Sequence, residues 1–174
     1  MNTKAEVFNK YLEEKKIEAF QVEEVADDAQ NTVAYRSHIV VEGQQLPTLV
    51  LLDDSVFSMI RVQISPKALT EENELKVLRM ASEQNMKYKP FKMYFDQTGA
   101  LILDVCLLTP GKEEKDFSEL GDEIYGMFDV LIKLLLFCSF FNHILQIVNI
   151  DTKLSIKEIC HNGFDVEHSA QIIR

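Results

Sequence analysis

The chain has 174 residues with 18 Lys and Arg against 28 Asp and Glu, a net charge of −10 and a pI near 4.9. That balance disfavours nucleic acid, whose phosphates are held by Lys and Arg, and it repels anionic membrane surfaces. The length suits one domain, or one domain with a small appendage, and a core of that size needs no metal or disulfide to hold it.

In chain order, the opening MNTKAEVFNKYLEEKK has no apolar stretch of the signal-peptide kind and reads as a helix ending near Ile17. Thr3 and Glu6 have capping-box spacing, and Ala5, Phe8 and Leu12 share one face. Phe20, Val22 and Val25 predict a first short strand, and Asp27–Asn31 a turn. Thr32 to Glu42, Leu46 to Leu52 and Val56 to Ile64 are rich in β-branched residues and predict three more strands. The short spacing between them indicates antiparallel hairpins rather than crossover units. Ser65-Pro66 breaks the pattern, and a second helix is predicted from Thr70 to Asn85, with Leu75, Leu78 and Ala81 or Ser82 as its inner stripe, widened by Val77 and Met80.

Residues 89–108 (KPFKMYFDQTGALILDVCLL) hold two period-2 runs joined by Asp96-Gln97-Thr98-Gly99. Asp bonds its own backbone at such a corner, and Gly supplies a positive φ at its exit. After the charged linker KEEKD, a third helix is predicted from Asp116 or Ser118, with Ile124, Phe128, Leu131 and Leu135 on one face. Near the end, Ser155 and Glu158, then Asn162-Gly163 and Asp165, predict a helical hairpin up to Arg174. The fold class that follows is α+β: an antiparallel sheet with helices packed on it, in the order α-β-β-β(-β)-α-β-β-α, plus a C-terminal helical appendage. The expected division is 1–140 for the domain and 141–174 for the extension.

Several segments carry possible chemistry. YFDQTGALI resembles the D-x-x-G-T signature of haloacid-dehalogenase-type phosphatases and ion-pumping ATPases, and Gly121-Asp122 and Asp129 hint at a second acidic motif. That chemistry places the aspartate at the end of a parallel strand in a doubly wound sheet, with Mg²⁺ beside it. Here another alternating strand follows Gly99, so Asp96 reads as a hairpin corner. A small phosphatase or phosphotransferase using Asp96 is the alternative. Cys160, His161, His168 and Glu158 lie close together but lack paired zinc-ligand spacing. Cys106, Cys138 and Cys160 are odd in number and far apart, which fits reduced thiols and a cytoplasmic setting. His38 reads as a satisfied structural histidine in a strand. Residues 154–174 have helix-turn-helix rhythm, yet the second helix offers one Arg against Asp165 and Glu167, poor for DNA. Val130 to Val148 approaches transmembrane length, but Lys133, Asn142, His143 and Gln146 interrupt it. A membrane anchor through residues 130–148 is a further alternative to a buried helix. No catalytic, cofactor-binding or metal-binding residues are assigned.

ELKVLRMASEQNMKYKPFKMYFDQTGALILDVCLL, with Asn85, Phe91, Phe95, Asp96 and Gly99, resembles the bacterial YbjN-like (sensory transduction regulator) proteins, whose fold is that of the type III secretion chaperones. AEVFNKYLEEKKIEAFQVEE is similar to the first helix and strand of that family, and the resemblance covers roughly residues 3 to 138. It implies a non-enzymatic, chaperone-like or regulatory protein that homodimerises and binds extended segments of protein partners. The client is not named by the sequence.

Overall fold

The structure is a computed structural model that describes residues 1–41 and 43–137. Helix α1 (Thr3–Lys15) leads into strands β1 (Gln21–Glu24), β2 (Val33–Val41), β3 (Gln44–Leu52) and β4 (Phe57–Ser65). Helix α2 (Glu74–Lys87), strands β5 (Phe91–Phe95) and β6 (Leu101–Leu108), a 3-10 turn (Glu114–Phe117) and helix α3 (Leu120–Phe137) follow. The protein is α+β as the sequence predicts, and the optional fourth strand before α2 is present. The predicted strand end at Glu42, the 140/141 division and the C-terminal helical hairpin lie outside the described residues.

The sheet is antiparallel throughout, in the order β1-β2-β3-β4-β6-β5. A β-strand turns alternate side chains to opposite faces. On one face Tyr35, Val50, Ile60, Val62, Leu103 and Val105 form the main core with the buried side chains of the helices. The predicted inward stripe of α3 (Ile124, Phe128, Leu131 and Leu135) is buried in it, as are Ala5, Phe8 and Leu12 of α1. Aromatic rings fill the space where α1 and α3 meet the sheet. Phe8 lies edge-on to Tyr35 at 4.9 Å between centroids, and Phe20 contacts Phe8, Tyr125 and Phe128. Edge-to-face pairs of this kind add to the stabilisation from burial alone.

The start of α1 differs from the predicted capping box. Asn2, not Thr3, is the cap: its Oδ1 accepts the Ala5 N–H at 2.9 Å. Its Nδ2 donates to the carbonyls of Asn31 and Leu52, both at 2.8 Å. A side-chain amide can cap the helix and satisfy neighbouring carbonyls at once, which a hydroxyl does less well. Lys4 is buried beside it, and its Nζ donates to the carbonyls of Ser55 at 2.7 Å and Phe57 at 2.8 Å. Desolvation holds the Lys4 pKa below its ordinary value, against the opposing pull of Asp53 and Asp54. Together these bonds fix the N-terminus of α1 to the β3–β4 corner. The helix closes at Lys16, whose left-handed φ of 56° returns its N–H to the last turn.

Helix α2 bears out only part of its predicted inner side. Val77, Met80 and Ala81 face the core, while Leu75, Leu78 and Ser82 are exposed. At about 100° per residue the two sets lie on opposite sides of the helix. Asn85, on the last turn of α2, bonds both backbone groups of Met93: its Nδ2 donates to the carbonyl at 2.9 Å and its Oδ1 accepts the N–H at 2.7 Å. Strand β5 is one edge of the sheet, with β1 the other, and an edge strand with free amides invites pairing with another chain. Asn85 occupies the middle of that edge in place of a neighbouring strand. Replacing Asn85 by Ala should lower stability by about 1–3 kcal/mol, since it orphans two backbone groups. It should also raise the tendency to aggregate, read by urea denaturation and light scattering; an unchanged midpoint would mean that water serves Met93 as well.

Candidate functional site

Asp96 follows the last residue of β5, and the chain reverses there into β6 with Phe95 opposite Leu101. Its Oδ1 accepts from the Thr98 N–H (2.8 Å), the Thr98 hydroxyl (2.7 Å) and the Ala100 N–H (2.9 Å). Gly99 has φ +81°, and its N–H returns to the Asp96 carbonyl. The carboxylate is therefore engaged in its own turn, and a paired strand follows it. The setting of a phosphate-accepting aspartate, a parallel strand followed by a helix, is not the setting of Asp96.

The remaining acidic residues of that motif have local partners. A Cβ on Gly121 would stand 2.3 Å from the Tyr11 ring, so glycine there lets α3 approach α1. The Tyr11 hydroxyl donates to Asp122 at 2.9 Å across the same contact. Asp129 pairs with Lys133 one turn on, at 2.5 Å.

Cys106 is exposed on β6, and desolvation, then the Asp104 charge, pushes its thiol pKa up, away from the range of a nucleophilic thiolate. His38 is exposed on β2 rather than packed in a core. Cys138, Glu158, Cys160, His161, His168 and the helix-turn-helix segment lie outside the described residues. Among the described residues no three His, Cys, Asp or Glu side chains come together in a way that could hold a metal ion. Among them, too, no helix is long and apolar enough to cross a membrane; residues 138–148 of the 130–148 alternative lie outside. The open cleft beside Lys4, about 340 Å³ and lined by Thr3, Asp53, Asp54, Lys112 and Phe117, has its one buried cation already bound to backbone carbonyls.

On the sheet face away from the helices, Arg61 of β4 and Asp104 of β6 stand directly opposite each other. Arg61 Nε reaches Oδ1 and Nη2 reaches Oδ2, each at 2.8 Å, and the two side chains are 2% and 3% exposed. The Tyr94 hydroxyl donates to the same Oδ2 at 3.0 Å. Burial first, then the Asp104 charge, drives the Tyr94 pKa upward, so the phenol stays a donor. Each oxygen of Asp104 thus has a donor. The sequence could not reveal it, because the partners lie in separate strands and only the register brings them together.

The surface that stands out is the outer side of α2. Leu75, Leu78 and Met86 are 65%, 45% and 78% exposed. With Ser82 they recur at i, i+3, i+7 and i+11, one continuous seam on a helix whose opposite side already packs on the sheet. Along one flank of the seam run Lys76, Arg79, Glu83 and Lys87, all exposed. Large apolar side chains exposed in a row mark contact surfaces. Sequence reasoning named Leu75 and Leu78 but placed them inside, because both sides of α2 carry apolar residues.

No protein-family model matches the chain, and no curated protein matches it at a significant level.

Replacing Asp96 by Ala should cost about 0.5–2 kcal/mol of stability, the scale of losing a helix cap, read by chemical denaturation; complete loss of the fold would give the corner a larger role than its three bonds explain. Replacing Arg61 by Ala should cost about 3–5 kcal/mol by leaving Asp104 buried without its counter-charge. The Arg61→Met, Asp104→Leu double variant should recover most of that loss by the same measurement.

Proposed function

We propose that the protein is a non-enzymatic binding module, chaperone-like or regulatory, that works through protein–protein contacts as a homodimer in the bacterial cytoplasm. The observation that carries this reading is the exposed seam of Leu75, Leu78, Ser82 and Met86 on α2. Its best-fitting occupant is the same helix of a second copy, running antiparallel. A two-fold axis near residue 80 sets Leu75 against the second copy's Met86 and Leu78 against its Ser82. The same axis brings matching flanks together, so that each Lys76 meets a Glu83. The Lys76–Glu83 contacts are then of opposite sign, and a self-complementary patch is what a two-fold dimer requires.

The element order supports the resemblance to YbjN-like proteins with the type III secretion chaperone fold, whose members dimerise and bind extended partner segments. The net charge of −10 favours basic segments among such partners. The engagement of Asp96 in its own turn supports the non-enzymatic part of the reading.

Sedimentation equilibrium tests the dimer. The native chain should sediment as a dimer, and Leu78→Glu as a monomer with an unchanged circular-dichroism spectrum. Lys76→Glu and Glu83→Lys should each weaken dimerisation about tenfold or more, the effect of about 1.4 kcal/mol, and the two together should restore it. A native chain that sediments as a monomer, or single charge reversals that leave the dimer untouched, would sink the proposal.

A further inference from the structure

Lys4 and Asp53 are both buried, at 3% and 4% exposure, and both line the open cleft at the start of α1. Among the described residues neither has a full set of partners. An ammonium carries three donors and a carboxylate two acceptor oxygens. Lys4 Nζ gives two of its N–H groups to the carbonyls of Ser55 and Phe57. Asp53 Oδ1 accepts the Ser55 N–H at 2.9 Å, while its Oδ2 accepts no hydrogen bond from the described residues. Nor does any Lys or Arg nitrogen of the described residues lie within 4.0 Å of Asp53 or Asp54. Lys4 and Asp53 are thus an opposite pair that does not touch, although the Asp53 charge acts on Lys4 across the gap. Buried charges without such a contact are costly. Here carbonyl bonds hold one and a turn bond holds the other, so the fold itself keeps them apart.

The cleft offers both signs of charge. Thr3 and Lys4 are the first two residues of α1, and their backbone N–H groups have no acceptor within the helix. The helix dipole adds to the Lys4 charge there. Asp53 and Asp54 supply the opposite sign from the β3–β4 corner. A simple anion would meet the two carboxylates, and a simple cation would meet Lys4 and the helix end. A metal ion lacks a ligand set, since no three suitable side chains come together among the described residues. A molecule with both charges close together escapes both repulsions. The volume, about 340 Å³, suits a small one, at the lower end of the range of about 300–1,000 Å³ for such sites.

We propose that the cleft binds a free α-amino acid, with its carboxylate on the remaining N–H of Lys4 and the N-terminus of α1, and its ammonium on Asp53 Oδ2 beside Asp54. An α-amino acid holds both ions on one carbon, and hydrogen bonds between ionised groups are the strong ones. The ligand completes both buried groups at once and ties α1 more firmly to the β3–β4 corner. None of the cleft residues belongs to α2, so the site does not depend on the pairing of two copies through the seam.

The test is ¹⁵N–¹H NMR on the full chain, with each standard L-amino acid added in millimolar excess. At least one should move the backbone signals of Lys4, Ser55 and Gly111 in a saturable way. Its N-acetyl derivative has no ammonium and its amide has no carboxylate. Each should bind about tenfold more weakly or worse, the scale of one hydrogen bond to a charged group. Asp53→Asn keeps an acceptor for the Ser55 N–H but puts a donor where the free oxygen stands. It should abolish the shifts and leave the rest of the spectrum unchanged. Absence of saturable shifts at these residues with every amino acid would overturn the proposal and leave the two groups to water. Equal binding of the blocked derivatives, or undiminished binding by Asp53→Asn, would overturn it as well.

Discussion

The bidentate contact between Arg61 and Asp104 sits where two separately built halves of the sheet are joined. Strands β1 to β4 form a meander of sequential neighbours, and β5–β6 is a local hairpin; the β4–β6 pairing connects them across α2. Side chains repeat every two residues on a strand, so the hairpin could slide by two and keep its faces. Such a slide would set Arg61 against Ile102 or Cys106 and leave two buried charges apart, at a cost of several kcal/mol. The ion pair therefore contributes less to total stability than to the choice of one register. That register also decides where α2 lies, because α2 spans the gap between β4 and the outer strand of the hairpin.

The position of α2 couples edge protection to exposure. Asn85 holds the last turn of the helix against Met93, while Val77, Met80 and Ala81 press onto the sheet. With those anchors fixed, Leu75, Leu78 and Met86 have no direction left but outward. The β5 edge is thus blocked by a side chain, and the apolar surface is carried by a helix. A rigid helix with regular spacing selects for shape and charge, whereas an open strand would pair with almost any extended chain.

Much of the fold was legible from sequence because local signals sufficed. Richness in β-branched residues located β2, β3 and β4, period-2 alternation located β5 and β6, the Asp96–Gly99 corner announced its hairpin, and the stripe through Ile124, Phe128, Leu131 and Leu135 pointed α3 correctly. Helix α2 was misread because it is apolar on two sides, and periodicity alone does not say which side meets the sheet. The Asn2 cap was missed because Thr3 and Glu6 offered the commoner pattern, and the value of Asn2 lies in carbonyls far along the chain. Lys4 looked like an ordinary solvated lysine, since its carbonyl partners at Ser55 and Phe57 belong to another corner. The Arg61–Asp104 pair was invisible for the same reason: no local rule links residues brought together only by sheet register.

The contact between α1 and α3 bears on how the chain is made. Helix α1 leaves the ribosome before the sheet it packs on, and its apolar side, with Phe8 and Leu12, packs partly on α3, the last described element. The meander can assemble meanwhile, but the groove that receives α1 is incomplete until Gly121 and its neighbours have left the exit tunnel. Until then the nascent chain carries an uncovered greasy helix, a feature that holding factors recognise.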